Sequence, residues 1–299
     1  MEQNQEKKYC ARLGWALLAV VVWAAVWQFA LAFADQALAW GLGVVMPYGL
    51  YYLLALVGHY LVSLPAAFAL CRSVPRTPLA PVPVGARRMG RWFVIGAALM
   101  WLCSLLGSSL NDLAYRLSGR APVDLVSEAF SLYPTTVVLV GACLIGPVCE
   151  ELLFRGLLAG RLARYGEKPA AFVSALLFGL YHANLGQFFY AFALGLLLAY
   201  AYFRSGRLRV PVALHMLFNL YGSGVPLLLP DSLGLLVLYG LSWLVLTIAG
   251  VILLARGWKR QAWAHGPCAP SMRAVFGNAG MTLAIVACFV QLALNFVLV

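Results

Sequence analysis

Glu150 and Glu151 stand side by side in a run that is otherwise apolar, with Arg155 one helical turn behind them. Before them Pro134–Gly146 reads PTTVVLVGACLIG, and from Leu157 the chain resumes with LLAG. An ionised side chain at the centre of a membrane helix costs about 2.5–3.5 kcal/mol on insertion scales, and more on isolated-helix estimates. Two in succession therefore need a reason. His182, His215 and Asn219 lie in the next apolar regions along the chain. A carboxylate, two imidazoles and an amide are the groups that move protons, ligate a divalent metal or stabilise a developing oxyanion.

Spacing divides the roles. Glu151 and Arg155 are four residues apart, so on a helix they stack on one face and offset each other's cost. Glu150 is turned about 100° from that face. It is left without that partner, in surroundings that suit a general base or acid. Phe178 precedes His182 by one turn in FGLYH and is placed to pack against the imidazole and restrict its rotamer. HMLFN projects His215 and Asn219 from one helix face, with Pro211 suited to that helix's first turn. Glu151, Arg155 and Phe178 are thus expected to support the site. His59 and Asn295, isolated in other apolar runs, are read as packing or interfacial residues.

The elements that must position these groups are membrane helices. The chain has 299 residues, 63% hydrophobic and 10% charged, against about 25% charged in soluble domains. That much apolar surface cannot be hidden in a water-soluble core, and an all-α polytopic bundle of eight or nine transmembrane helices is expected. Apolar stretches run at roughly 14–34, 44–70, 92–110, 134–153, 169–185, 187–203, 210–229, 233–255 and 275–298. The whole of 1–299 reads as one integral membrane domain, with 134–226 as the core carrying the polar motifs. Within that core, Gly156 and Gly160 form a GxxxG step that favours close helix approach.

The net charge of +11 would suggest nucleic acid in a soluble protein, but the cations sit in short loops, so no nucleic-acid partner is expected. With the N-terminus in the cytoplasm, 19 of the 21 Lys and Arg fall on or near that side, leaving Arg116 and Arg120 outside. Lys7, Lys8 and the AFA at Ala32–Ala34 resemble a cleavable signal, yet the apolar run suits a retained anchor better. Seven cysteines without a CxxC pair read as packing residues.

EELLFR (Glu150–Arg155), FGLYH (Phe178–His182) and HMLFN (His215–Asn219), in that order, resemble the EExxxR, FxxxH and HxxxN motifs of the CAAX-protease and bacteriocin-processing (Abi) family of intramembrane endopeptidases. The resemblance covers roughly Pro134 to Pro226. It implies that Glu150, His182, His215 and Asn219 form the catalytic set and that a membrane-tethered or hydrophobic peptide is the substrate. The compact chain looks bacterial, so a multi-pass place in the inner membrane among its lipids is expected, and the substrate stays open.

Two chemistries fit. In one, Glu150 activates water positioned by His182, while His215 and Asn219 stabilise the oxyanion. In the other, Glu150, His182 and His215 hold zinc; without an HExxH pair the metal-free version is preferred, and zinc stays open. Outside protease chemistry, a transporter would repeat broken helices in two halves, and a peptide-binding immunity protein would keep the site unused.

Overall fold

The computed structural model describes every residue except Met1, Pro122, 258–262, 267–271 and Val299, with the side chains of 2–3, 125–127, 129, 272 and 298 also set aside. Lys259, Arg260 and Cys268, which figured in the topology and cysteine readings, lie outside the described residues. The described residues hold helices and no strand, as expected of an all-α polytopic membrane protein.

Among the described residues, seven helices are long and apolar enough to cross a membrane: α1 (Glu2–Leu42), α2 (Tyr48–Leu70), α3 (Ala86–Leu117), the composite helix Thr135–Tyr165, α9 (Leu185–Ser205), α12 (Leu233–Gly257) and α14 (Ala279–Leu298). The other two expected spans are also helical, but differently built. The region at 169–185 is α8 (Glu167–Tyr181), only 15 residues, about 22 Å at 1.5 Å per residue, which is short for a bilayer of about 30 Å. The region at 210–229 is α10 (Arg209–Asn219), a π-helical turn at Leu220–Gly224 and the short α11 (Val225–Leu228).

The composite helix is irregular. α5 (Thr135–Val140) passes through a π-turn at Gly141–Ile145 into α6 (Gly146–Glu151), then into a π-helix at Leu152–Ala159 before α7 (Gly160–Leu162). π-Helical turns are rare and gather at functional sites; here one begins directly after the paired glutamates. A short α4 (Leu125–Leu132) precedes this helix and α13 (Met272–Phe276) precedes α14.

The chain divides into two compact units. One comprises Met1–Pro75, Leu125–Cys149 and Ser271–Gln291. In it α1 packs along α2, with Trp23 and Trp27 donating their indole N–H groups to the Gly58 and Leu54 carbonyls. α1 runs unbroken through Ala32–Ala34 to Leu42. His59 stacks on Tyr60 within α2, in keeping with a packing role.

The other unit comprises Arg76–Asp124, Glu150–Pro270 and Leu292–Val299. Its centre is α9, packed against α3, α8 and α10, while α12 lies on α3. The core there is built from Trp92, Met100, Leu194, Leu198, Leu214 and Phe218. Close approach is set by glycine: a Cβ at Gly195 would come within 2.9 Å of the Ala175 Cα, and one at Gly107 within 2.5 Å of the Gly186 carbonyl oxygen. The GxxxG step behaves as expected at Gly160, which faces Tyr202 and Arg76 and accepts a hydrogen bond from Thr77 N–H at 3.0 Å.

Candidate active site

The π-helix at 152–159, α8 and α10 each deliver part of the polar cluster. Ser174 on α8 donates to the Phe154 carbonyl at 2.8 Å, and the Phe154 ring meets Phe178 edge-on. These contacts dock α8 on the helix that begins with the glutamates and set the height of Phe178 and His182.

Arg155 is fully buried, and so is Glu151; their Nη1–Oε1 distance is 2.6 Å. The guanidinium also donates to the Gly195 carbonyl at 3.1 Å and lies 4.6 Å over the Phe178 ring. Three compensations for one buried cation are what such burial requires, since an unpaired charge there would cost several kcal/mol. Glu151 and Arg155 are thus paired on one helix face as their i,i+4 spacing suggests, and their contacts extend further than spacing alone shows.

The extension is His215. Its Nδ1 donates to the same Glu151 Oε1 at 3.0 Å. A carboxylate accepting at Nδ1 fixes the tautomer and directs Nε2 outward. That Nε2 stands 3.7 Å from Glu150 Oε2. Glu150 is therefore not the partnerless carboxylate read from helical spacing, because α10 brings an imidazole to it. The separation is too long for a direct hydrogen bond and right for one oxygen atom shared between the two. Glu150 also keeps 17% of its side chain exposed while Glu151 has none, so of the adjacent pair only Glu150 can meet water.

His182 caps the C-terminal end of α8. Its Nδ1 donates to the Phe178 carbonyl at 2.8 Å, leaving Nε2 as the free acceptor. Phe178 stands edge-on to both imidazoles, 4.8 Å from His182 and 5.6 Å from His215 by ring centroids. Glu150, His215 and Arg155 all act on His182 electrostatically. One aromatic ring thus holds the two histidines and the buried cation in register. Asn219, the last residue of α10, is partly buried one turn beyond His215, just before the π-turn.

The turn after His182 carries strain. Ala183 has φ 47, a left-handed conformation uncommon for a residue with a Cβ. Asn184 then accepts from Gly186 N–H at 2.9 Å and starts α9. Asn295, read from sequence as a packing residue, donates its amide to the Ala183 carbonyl at 3.0 Å. It holds the turn from which His182 projects, a role that its isolation 112 residues downstream gave no means of seeing.

The zinc alternative can be tested on the donor set. Among the described residues, no three His, Cys, Asp or Glu side chains gather as a metal-ligand group. Glu150 and His215 approach each other, but His182 does not complete a three-ligand site with them. The described donors do not gather three ligands for that metal, and no step is derived through it. Chemically it offers one exposed carboxylate, an oriented imidazole beside it, and a second imidazole with a free acceptor nitrogen.

Comparison with known proteins falls on the same segment. The family model described as "Type II CAAX prenyl endopeptidase Rce1-like" matches residues 132–221. The protein named as a membrane peptidase, YdiL, of Bacillus subtilis (strain 168) is 25% identical over 167 residues, 52% of this chain and 67% of that one. The membrane-embedded CAAX protease MroQ of Staphylococcus aureus (strain USA300) is 36% identical over 151 residues, 48% of this chain and 60% of its own length. The chain thus spans about three fifths to two thirds of these curated relatives. No solved structure matches it.

Proposed function

We propose that this chain, which matches the Rce1-like family model over residues 132–221 and is similar to two curated membrane proteases, is an intramembrane protease of the CAAX-protease and bacteriocin-processing family, and we derive how it cuts and what it cuts. The reaction is hydrolysis of a peptide bond in a membrane-tethered or hydrophobic peptide, with Glu150 as general base. Glu150 takes a proton from a water that His182 Nε2 helps to position. The resulting hydroxide adds to the carbonyl carbon, and the oxyanion is stabilised by Asn219 and by His215 once its Nε2 carries a proton. Glu150 then returns its proton to the departing amine, leaving an amine and a carboxylic acid that ionises by losing its proton to water. Glu151 and Arg155 take no proton; they orient His215.

The observation that carries this reading is the 3.7 Å gap between Glu150 Oε2 and His215 Nε2. It leaves room for one water oxygen within hydrogen-bond reach of both groups, the oxygen that then adds to the carbonyl carbon. The distribution of cations supports an N-terminus in the cytoplasm.

The test uses the purified chain reconstituted in vesicles with a library of membrane-tethered peptides. Glu150→Gln is expected to lower cleavage by about 10²–10⁴-fold while the thermal unfolding profile stays that of the wild type. Equal cleavage by the two proteins would end the assignment. The same preparation treated with a chelator is expected to keep its activity. Loss that added zinc restores would remove the metal-free mechanism and leave the protease intact.

A further inference from the structure

A second feature of the same unit carries chemistry that the glutamates and histidines do not use. A cavity of about 710 Å³ opens between α3, α8, α9 and α12, within the size range of small-molecule sites. None of Glu150, Glu151, Arg155, His182 or His215 lines it.

Its lining is graded. On α3 one stripe runs Arg88, Arg91, Trp92, Ile95, Leu99, a helical progression that passes from charge to hydrocarbon over about 16 Å at 1.5 Å per residue. On α9 the order from the same end is Tyr200, Leu197, Leu196, Ala193, and α12 contributes Gly257, Leu254 and Leu253. Lys168, in the first turn of α8, and Trp263 add to the charged and aromatic end. One end is therefore cationic and the rest is an apolar slot.

The charge at that end is unbalanced. Among the described residues, Arg88, Arg91 and Lys168 line the cavity and no Asp or Glu does. The nearby acid, Glu167, is engaged by Arg204 and by Ala264 N–H at 2.9 Å. Arg88 stacks over Trp92 at 4.9 Å and Arg91 gives one donor to the Leu253 carbonyl at 3.5 Å, so most of their donors stay open. Arg88 and Lys168 also sit in the first turns of α3 and α8, with Arg91 one turn further along α3, near helix ends whose dipole favours an anion and disfavours a cation. Three cations at such positions are stabilised by an anionic occupant.

We propose that this cavity binds an anionic phospholipid, its phosphate held by Arg88, Arg91 and Lys168 and one acyl chain lying along Trp92, Ile95, Leu99 and Leu197. Basic pockets between membrane helices recognise such headgroups. The shared chemistry with free phosphate is the anion; what selects the lipid is the apolar slot continuous with the cations. The inference is independent of the proteolytic mechanism.

The experiment is native mass spectrometry of the full detergent-purified chain titrated with phosphatidylglycerol, with phosphatidylcholine of the same chains, and with inorganic phosphate as competitor. The wild type is expected to retain one phosphatidylglycerol at least tenfold more tightly than phosphatidylcholine. R88Q/R91Q/K168Q is expected to lose that preference. Ala193→Trp, which fills the slot without touching the cations, is expected to lower phosphatidylglycerol retention at least fivefold. Equal retention of both lipids by the wild type, or an unchanged preference in the triple variant, would overturn the proposal. So would competition by millimolar phosphate that equals phosphatidylglycerol in strength and survives Ala193→Trp, since that describes a free-anion site.

Discussion

α9 and α12 are both apolar helices of bilayer length, yet neighbours enclose 44% of the residues in the membrane window of α9 and only 17% in that of α12. α9 gives the Gly195 carbonyl to Arg155 and lies against α8 so closely that a side chain at 195 would strike backbone. α12 turns Leu238, Val245 and Ile248 outward. Enclosure decides where this protein puts its polar groups. An ion pair survives in a membrane segment only where protein atoms replace lipid on every side. The glutamates and histidines accordingly occupy the enclosed part of the bundle, and α12 carries none.

The contrast can be broken most severely at the ion pair. Arg155→Met leaves Glu151 buried without its cation, and a loss of about 3–5 kcal/mol is expected, read as reduced thermal stability in detergent. Glu151→Leu together with Arg155→Met removes both charges and is expected to recover most of that stability. Cleavage should stay low in the double variant, because His215 has lost the acceptor that orients it. Recovery of activity along with stability would show that Glu151 serves packing alone.

A smaller effect is expected at the turn that presents His182. Asn295→Ala removes the donor to the Ala183 carbonyl, a change worth about 1 kcal/mol. Its cleavage rate should fall by more than its stability does, with Asn295→Gln restoring part of both. A rate that merely follows the folded fraction would reduce Asn295 to the packing residue that its sequence position suggests.

The smallest effect belongs to the outer face. Val245→Ala on α12, where the side chain is 65% exposed, should change stability by no more than about 0.5 kcal/mol and leave cleavage unaltered. A shift comparable to that of Arg155→Met would mean that the face meets protein rather than lipid.

Much of the site was legible one residue type at a time. The Glu151–Arg155 pair followed from i,i+4 spacing, and the packing of Phe178 on His182 from the same rule, because both are contacts within one helix. The second partner of Glu151 was not legible. His215 lies 64 residues away, and helical spacing says nothing about which face of α10 meets which face of α6. The π-helices at 152–159 and 220–224 were likewise invisible, since an apolar run that satisfies 3.6 residues per turn also tolerates a local wider turn. The short α8 was counted as a full span because its polar end, HANLGQ, follows directly on hydrophobic residues.

The amino-acid order alone established that this is a membrane protein of apolar helices, which polar residues stand out within them, and which neighbours share a helix face. Composition and periodicity are properties of the local chain, and they need no partner to be read. It took the folded packing to show that one glutamate oxygen serves both an arginine and a histidine, that the adjacent glutamate keeps its access to water, and that a distant asparagine bonds the turn after the second histidine. Those outcomes depend on the packing of α8, α9 and α10, which is set by glycine contacts and ring stacking between segments far apart in the chain.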